Sequence, residues 1–191
     1  MVAPLPVSEP PAAAPPPLVE RSALTWNLAA LAAAIIAVAG SLWLSLGMDL
    51  KACPLCYYQR SFVMGAGAVL LMALLTEARQ SASVSLMALP LAASGLSVAV
   101  WHVFLEATHK LECPAGLFGF GTAPQQSLAA QIVLFALLLL ACVRRPAAIL
   151  AVVLGALLAF ACIKSVAPLP RPSPEEYQKP PTMCRPPMPQ A

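Results

Sequence analysis

Charge is what this chain has least of. Only 10% of its 191 residues are Asp, Glu, Lys or Arg, against about 25% in a typical soluble domain. So little charge cannot cover a water-facing surface, and the apolar 60% has to face lipid instead. Aromatic residues are few, at 6%, and no basic cluster is interleaved with them, which argues against a nucleic-acid surface. The net charge is only +3. The N-terminus lacks the basic stretch of a signal peptide. It carries seven prolines in its first twenty residues, so residues 1–22 are expected to form a disordered or polyproline tail.

What the chain does have is a series of long apolar runs. A helix needs about 20 residues to cross a bilayer, and five runs approach or exceed that length: 23–46, 56–75, 84–105, 128–143 and 147–166. The expectation is an all-α integral membrane protein, with one transmembrane domain over residues 23–167. Trp26 and Trp43 mark the two ends of the first run, as interfacial aromatics do. Gly65 and Gly67 allow close helix contact in the second, and Pro90 lies near the start of the third. The fourth run is short unless it begins near Ala123. Residues 168–191 form a tail with nine prolines and one cysteine, Cys184, too poor in apolar side chains for a core of its own. The glycine-rich piece 115–122 has no following lysine and is full of Phe and Leu, so it does not read as a phosphate loop.

Six cysteines is a high count for so short a chain, and four of them fall in or beside loops, which favours an oxidising compartment. The most informative stretch is Cys53-Pro54-Leu55-Cys56-Tyr57-Tyr58-Gln59-Arg60. A C-x-x-C pair there is either redox-active or half of a metal site. Cys56 falls in the first turn of the second helix, where free N–H groups and the helix dipole favour a thiolate. Arg60 follows at i+4, on the same face and just inside the membrane. An arginine there is costly unless it meets a partner, a cavity or the interface. His102, at the far end of the third run, shares a membrane face with Cys56, because the second and third helices are antiparallel.

Counting spans also sorts the other cysteines. The loop at 47–56, the loop at 106–127 and the C-terminal tail fall on one face, so Cys53, Cys56, Cys113 and Cys184 share a compartment. Cys142 and Cys162 lie within helices at different depths and read as small buried apolar residues. Charge alone leaves the orientation open. Arg21, Arg79, Arg144 and Arg145 stand on one side; Lys51, Lys110, Lys164, Arg171, Lys179 and Arg185 stand on the other.

The segment Cys53–Arg60 resembles the quinone-reducing motif of the DsbB family, bacterial membrane proteins that reoxidise the periplasmic disulfide donor DsbA. The resemblance covers about residues 24–143. It implies a four-helix bundle of the DsbB type, here with an additional fifth C-terminal transmembrane helix. It implies a thiol:quinone oxidoreductase of the bacterial inner membrane, with its cysteine loops and tail facing the periplasm. The partners implied are a DsbA-like thioredoxin-fold protein and a membrane quinone, ubiquinone or menaquinone. The roles implied are a redox-active Cys53–Cys56 pair, with Arg60 and His102 binding the quinone and no metal.

Family members usually keep a second cysteine pair within one loop, whereas the 106–127 loop here has only Cys113. Cys184 is the expected partner, giving a second redox-active pair Cys113–Cys184, unless both stand alone. Three other readings remain open at this point. One is a VKOR-like oxidoreductase, whose C-x-x-C lies on a later helix. Another is a metal or haem subunit using Cys53, Cys56 and His102. The third is a structural protein stapled by its disulfides.

Overall fold

The computed structural model describes residues 18–76 and 82–188, with side chains from residue 24 onward. The first seventeen residues of the expected N-terminal tail, most of the polar turn between the second and third runs, and the last three residues lie outside these. The fold is helical: α1 (Leu18–Leu46), α2 (Pro54–Leu75), α3 (Ala82–Ala107), α4 (Ala123–Cys142), α5 (Ala147–Ser165) and a single turn, α6 (Pro174–Tyr177). The first five are each long and apolar enough to cross a membrane.

Helix boundaries depart from the sequence reading where polar residues cap rather than interrupt. The fourth run, 128–143 unless it begins near Ala123, forms a helix that does begin at Ala123. Gln125, Gln126 and Ser127 look like loop residues, yet Thr122 and Gln125 form a reciprocal capping box, with Pro124 in the first turn. The Gln126 side chain then reaches back to the loop, donating to the Leu117 and Phe120 carbonyls and accepting from the Leu117 amide at 2.7–2.9 Å. α1 begins at Leu18, inside the segment assigned to the tail.

α3 is the central helix. It packs against α2 and α4 within the bundle of α1–α4 and against α5 on its other side. Its contact with α5 follows from a stripe of small residues, Ala148, Ala151, Gly155 and Ala159, the buried face of α5. Small residues let backbones approach where lipid supplies no hydrophobic drive between helices. A Cβ on Gly155 would lie 2.5 Å from the Pro90 carbonyl oxygen and 2.6 Å from Ala93 Cβ. The Ser94 hydroxyl lies within hydrogen-bond distance of both the Pro90 and Gly155 carbonyls, at 2.8 and 2.9 Å. The opposite face of α5 exposes Ile149, Leu150, Leu157 and Phe160, as a lipid-facing surface should. α1 and α2 meet where Gly67 faces Ala34. This packing brings the start of α2, the end of α3, the start of α4 and the end of α5 to one end of the bundle.

Candidate active site

Cys53 is the N-cap of α2, and its sulfur accepts from the Cys56 amide at 3.3 Å. Pro54 at the first helical position has no N–H to satisfy and is already shaped for the helix. The cap turns the two sulfurs toward each other at 2.9 Å. The Cys56 thiol, hydrogen-bonded to Cys53, and the nearby His102 hold the Cys53 thiol down at about 5, against the opposing cost of burial. The pair therefore loses its first proton far more readily than an ordinary thiol.

His102, on the penultimate turn of α3, is fully buried. Its Nδ1 lies 3.2 Å from Gln59 Nε2, and Gln59 Oε1 accepts from Ser127 Oγ at 2.5 Å. With the amide set this way, Nδ1 is the acceptor and Nε2 carries the proton. That Nε2 faces three sulfurs: Cys184 at 3.4 Å, Cys113 at 3.6 Å and Cys53 at 3.8 Å. His102 thus sits among the sulfurs, and the cavity described below is lined by other residues.

The C-terminal tail returns across this end of the molecule. Lys51 N–H donates to Thr182 O at 2.8 Å, and Glu112 and Arg185 exchange backbone hydrogen bonds at 2.8 and 2.9 Å. The Arg185 guanidinium pairs with Glu112 at 3.0 Å, donates to Glu176 O at 2.7 Å and lies over the Tyr177 ring. These contacts seat Cys184 at 2% exposure, where it forms a disulfide with the half-buried Cys113. Cys53, Cys56 and Cys184 place their sulfurs, and His102 a ring nitrogen, within 4.8 Å of one another. Cys142 and Cys162 are free and lie away from this cluster; Cys142 donates to the Leu138 carbonyl within its own helix.

A cavity of about 420 Å³ opens beside the C-x-x-C, between α1, α2 and α4. Ile36, Leu44, Val63 and Leu117 give it an apolar wall, and Cys56, Arg60 and Cys184 also reach it. Arg60 is tied to α1: its Nε donates to Ser41 Oγ at 2.9 Å, and Nη2 donates to Ser41 O at 2.9 Å and Ser45 Oγ at 2.7 Å. Gln131, also on the wall, donates to the Gln59 carbonyl, while its own Oε1 is buried without a partner among the described residues. An apolar cavity with a few converging polar groups suits a small, largely apolar ligand with a few polar atoms.

Sequence reasoning missed Gln59, Ser127, Gln131 and the two serines of α1. The available signal was an amide or hydroxyl inside an apolar span, which needs a partner as much as a charge does.

The fold and site together define a multi-pass helical membrane protein with a buried cluster of redox-capable thiols. The family model for the disulfide bond formation protein DsbB matches residues 22–134, more than half of the chain, and the chain belongs to that family. The matched residues include Cys53, Cys56, Arg60, His102 and Cys113; α5 and Cys184 lie beyond them. No curated protein and no solved structure matches the chain.

Proposed function

We propose that this protein oxidises a thioredoxin-fold dithiol donor and passes the two electrons to a membrane quinone. Support comes from family membership, which gives disulfide formation as the chemistry, and from the position of Cys184. Cys184 is bonded to the half-buried Cys113, yet lies within 4.8 Å of both C-x-x-C sulfurs and on the wall of the apolar cavity. That placement is the observation on which the relay rests.

The reaction follows from which sulfurs a partner can reach. The donor thiolate attacks Cys113, the more exposed member of its pair, forming a mixed disulfide and releasing Cys184 as thiolate. Cys184, already beside the C-x-x-C, attacks Cys53 of the oxidised Cys53–Cys56 pair and releases Cys56 at the cavity. The second donor thiol then attacks the donor–Cys113 bond, so the donor leaves oxidised. The freed Cys113 attacks Cys184 in the Cys184–Cys53 bond, which restores Cys113–Cys184 and leaves Cys53 and Cys56 as dithiol. His102 Nε2–H, facing Cys53, Cys113 and Cys184, stabilises each thiolate as it forms and can return a proton to it.

A quinone held in the cavity by Arg60 and the apolar wall would supply the two-electron acceptor for closure of Cys53–Cys56, taking up two electrons and two protons. The Arg60 guanidinium, fixed by Ser41 and Ser45, orients a ring oxygen and stabilises negative charge that develops there. The cysteine end of the bundle then faces the periplasm of a bacterial inner membrane.

The test is quinone absorbance in detergent, with reduced thioredoxin-fold donor and a soluble quinone. Wild type is expected to turn over and Cys56→Ser not to. Donor oxidation by wild type without quinone consumption would rule out the quinone as acceptor.

A further inference from the structure

We propose that the fully reduced form of this site binds one soft divalent cation, of which Zn²⁺ is the chemical type, through Cys53, Cys56, Cys184 and His102. The inference needs only that the Cys113–Cys184 disulfide can be opened while Cys53 and Cys56 are thiols, as they are here, and it holds whether or not a quinone is the natural oxidant.

The donor set is three sulfurs and one imidazole nitrogen, buried or nearly so, all within 4.8 Å of one another. Zinc prefers four such ligands in a tetrahedron, at about 2.3 Å to sulfur and about 2.0 Å to nitrogen. Those bond lengths require ligand separations of about 3.8 Å between sulfurs and about 3.5 Å between sulfur and nitrogen. The observed distances from His102 Nε2, 3.4 Å to Cys184 and 3.8 Å to Cys53, straddle the second value. The Cys53–Cys56 separation of 2.9 Å has to widen by somewhat under an ångström, a small side-chain rotation. Sulfur-rich sites of this kind select Zn²⁺ over Mg²⁺ or Ca²⁺.

A further feature favours a cation here. A metal-bound imidazole needs an acceptor for its other N–H. Gln59 provides one by turning its amide over: Oε1 then accepts from Nδ1–H of His102 and Nε2 donates to the Ser127 hydroxyl, with no change of partners. Binding releases to water the protons that the three ligand thiols still hold, the imidazole binding neutral, and no electron moves. Cys113 is 3.6 Å from His102 Nε2 but stands outside the group of four, so it stays a free thiol. A cation held this way blocks reoxidation, because no pair of the ligand sulfurs can form a disulfide while coordinated.

The experiment uses the full chain in detergent, without donor or quinone. Protein reduced by a phosphine and desalted is titrated with Co²⁺ and then Zn²⁺, and thiol alkylation is mapped by mass spectrometry. One Co²⁺ per chain is expected, with the intense visible bands and thiolate charge-transfer band of a tetrahedral site, displaced by Zn²⁺. The disulfide form is expected to show none of these bands. Zn²⁺ should slow alkylation of Cys53, Cys56 and Cys184 at least tenfold and leave Cys113 labelled at its metal-free rate. His102→Ala and Cys184→Ser should each weaken Co²⁺ binding at least tenfold, and Cys142→Ser with Cys162→Ser should not. Equal protection of Cys113 and Cys184, equal binding by the oxidised protein, or no protection would each overturn the proposal. The alkylation pattern of wild type decides it even if a variant fails to fold.

Discussion

Arg60 is the residue whose placement most needs a reason, because an arginine within an apolar span has to be paired or hydrated. Its pairing is with Ser41 and Ser45 of α1, which fixes the guanidinium at the edge of the cavity. A hydrogen bond to a charged group contributes about 1.5–3 kcal/mol, so Arg60→Ala is expected to lower quinone turnover roughly 10- to 100-fold. Donor oxidation in a single turnover without quinone should be unchanged. Equal loss in both assays would mean that Arg60 holds the fold rather than the ligand. Ser41→Ala leaves the charge but removes one anchor, and its expected effect is a smaller rise in KM with kcat nearly intact.

At the scale of elements, two contacts are decisive. One is the stripe on α5 that lies against α3. Gly155→Val places side-chain atoms into the Pro90 carbonyl and Ala93, and overpacking of this kind costs typically ~1–3 kcal/mol. The expected result is a lower thermal midpoint, while the bundle of α1–α4 retains its helical signal. The other is the clamp of the tail. Arg185 is mostly buried but Glu112 is about half exposed, at 10% and 49% side-chain exposure, so the ion pair itself is worth little. Arg185→Ala also removes the hydrogen bond to Glu176 and the contact with Tyr177. The tail should then open several-fold more often, read as faster reduction of Cys113–Cys184 by a small thiol.

Much at this scale was legible in the sequence. Apolar runs report spans directly because lipid tolerates few charges, and the C-x-x-C with its arginine is a local signal. The chain from Ser127 through Gln59 to His102 was not legible, because it joins α4, α2 and α3 and no spacing along the chain reveals it. The same is true of the closeness of His102 Nε2 to Cys53, Cys113 and Cys184, which the packing of α3 and the return of the tail create. The sequence leaves the start of α4 between Ala123 and residue 128, because Gln125 and Gln126 serve as caps and loop anchors, roles that composition does not distinguish from loop.

For the whole molecule, five spanning helices set the loop before α2, the loop before α4 and the tail after α5 at one end, and that arrangement brings Cys184 to a site built by α2 and α3. The family match stops at residue 134, so the fifth helix and the tail cysteine lie outside the matched region. The central claim is that this tail cysteine couples the donor to the C-x-x-C. The most direct test is quinone reduction by Cys184→Ser, driven in one assay by a reduced thioredoxin-fold donor and in another by a small dithiol that can reach Cys53–Cys56 unaided. Coupling through Cys184 requires that donor-driven turnover falls at least a hundredfold, with a donor–Cys113 adduct trapped, while dithiol-driven turnover persists. Equal turnover with both reductants would contradict it, and would leave Cys184 as a fastener for the tail.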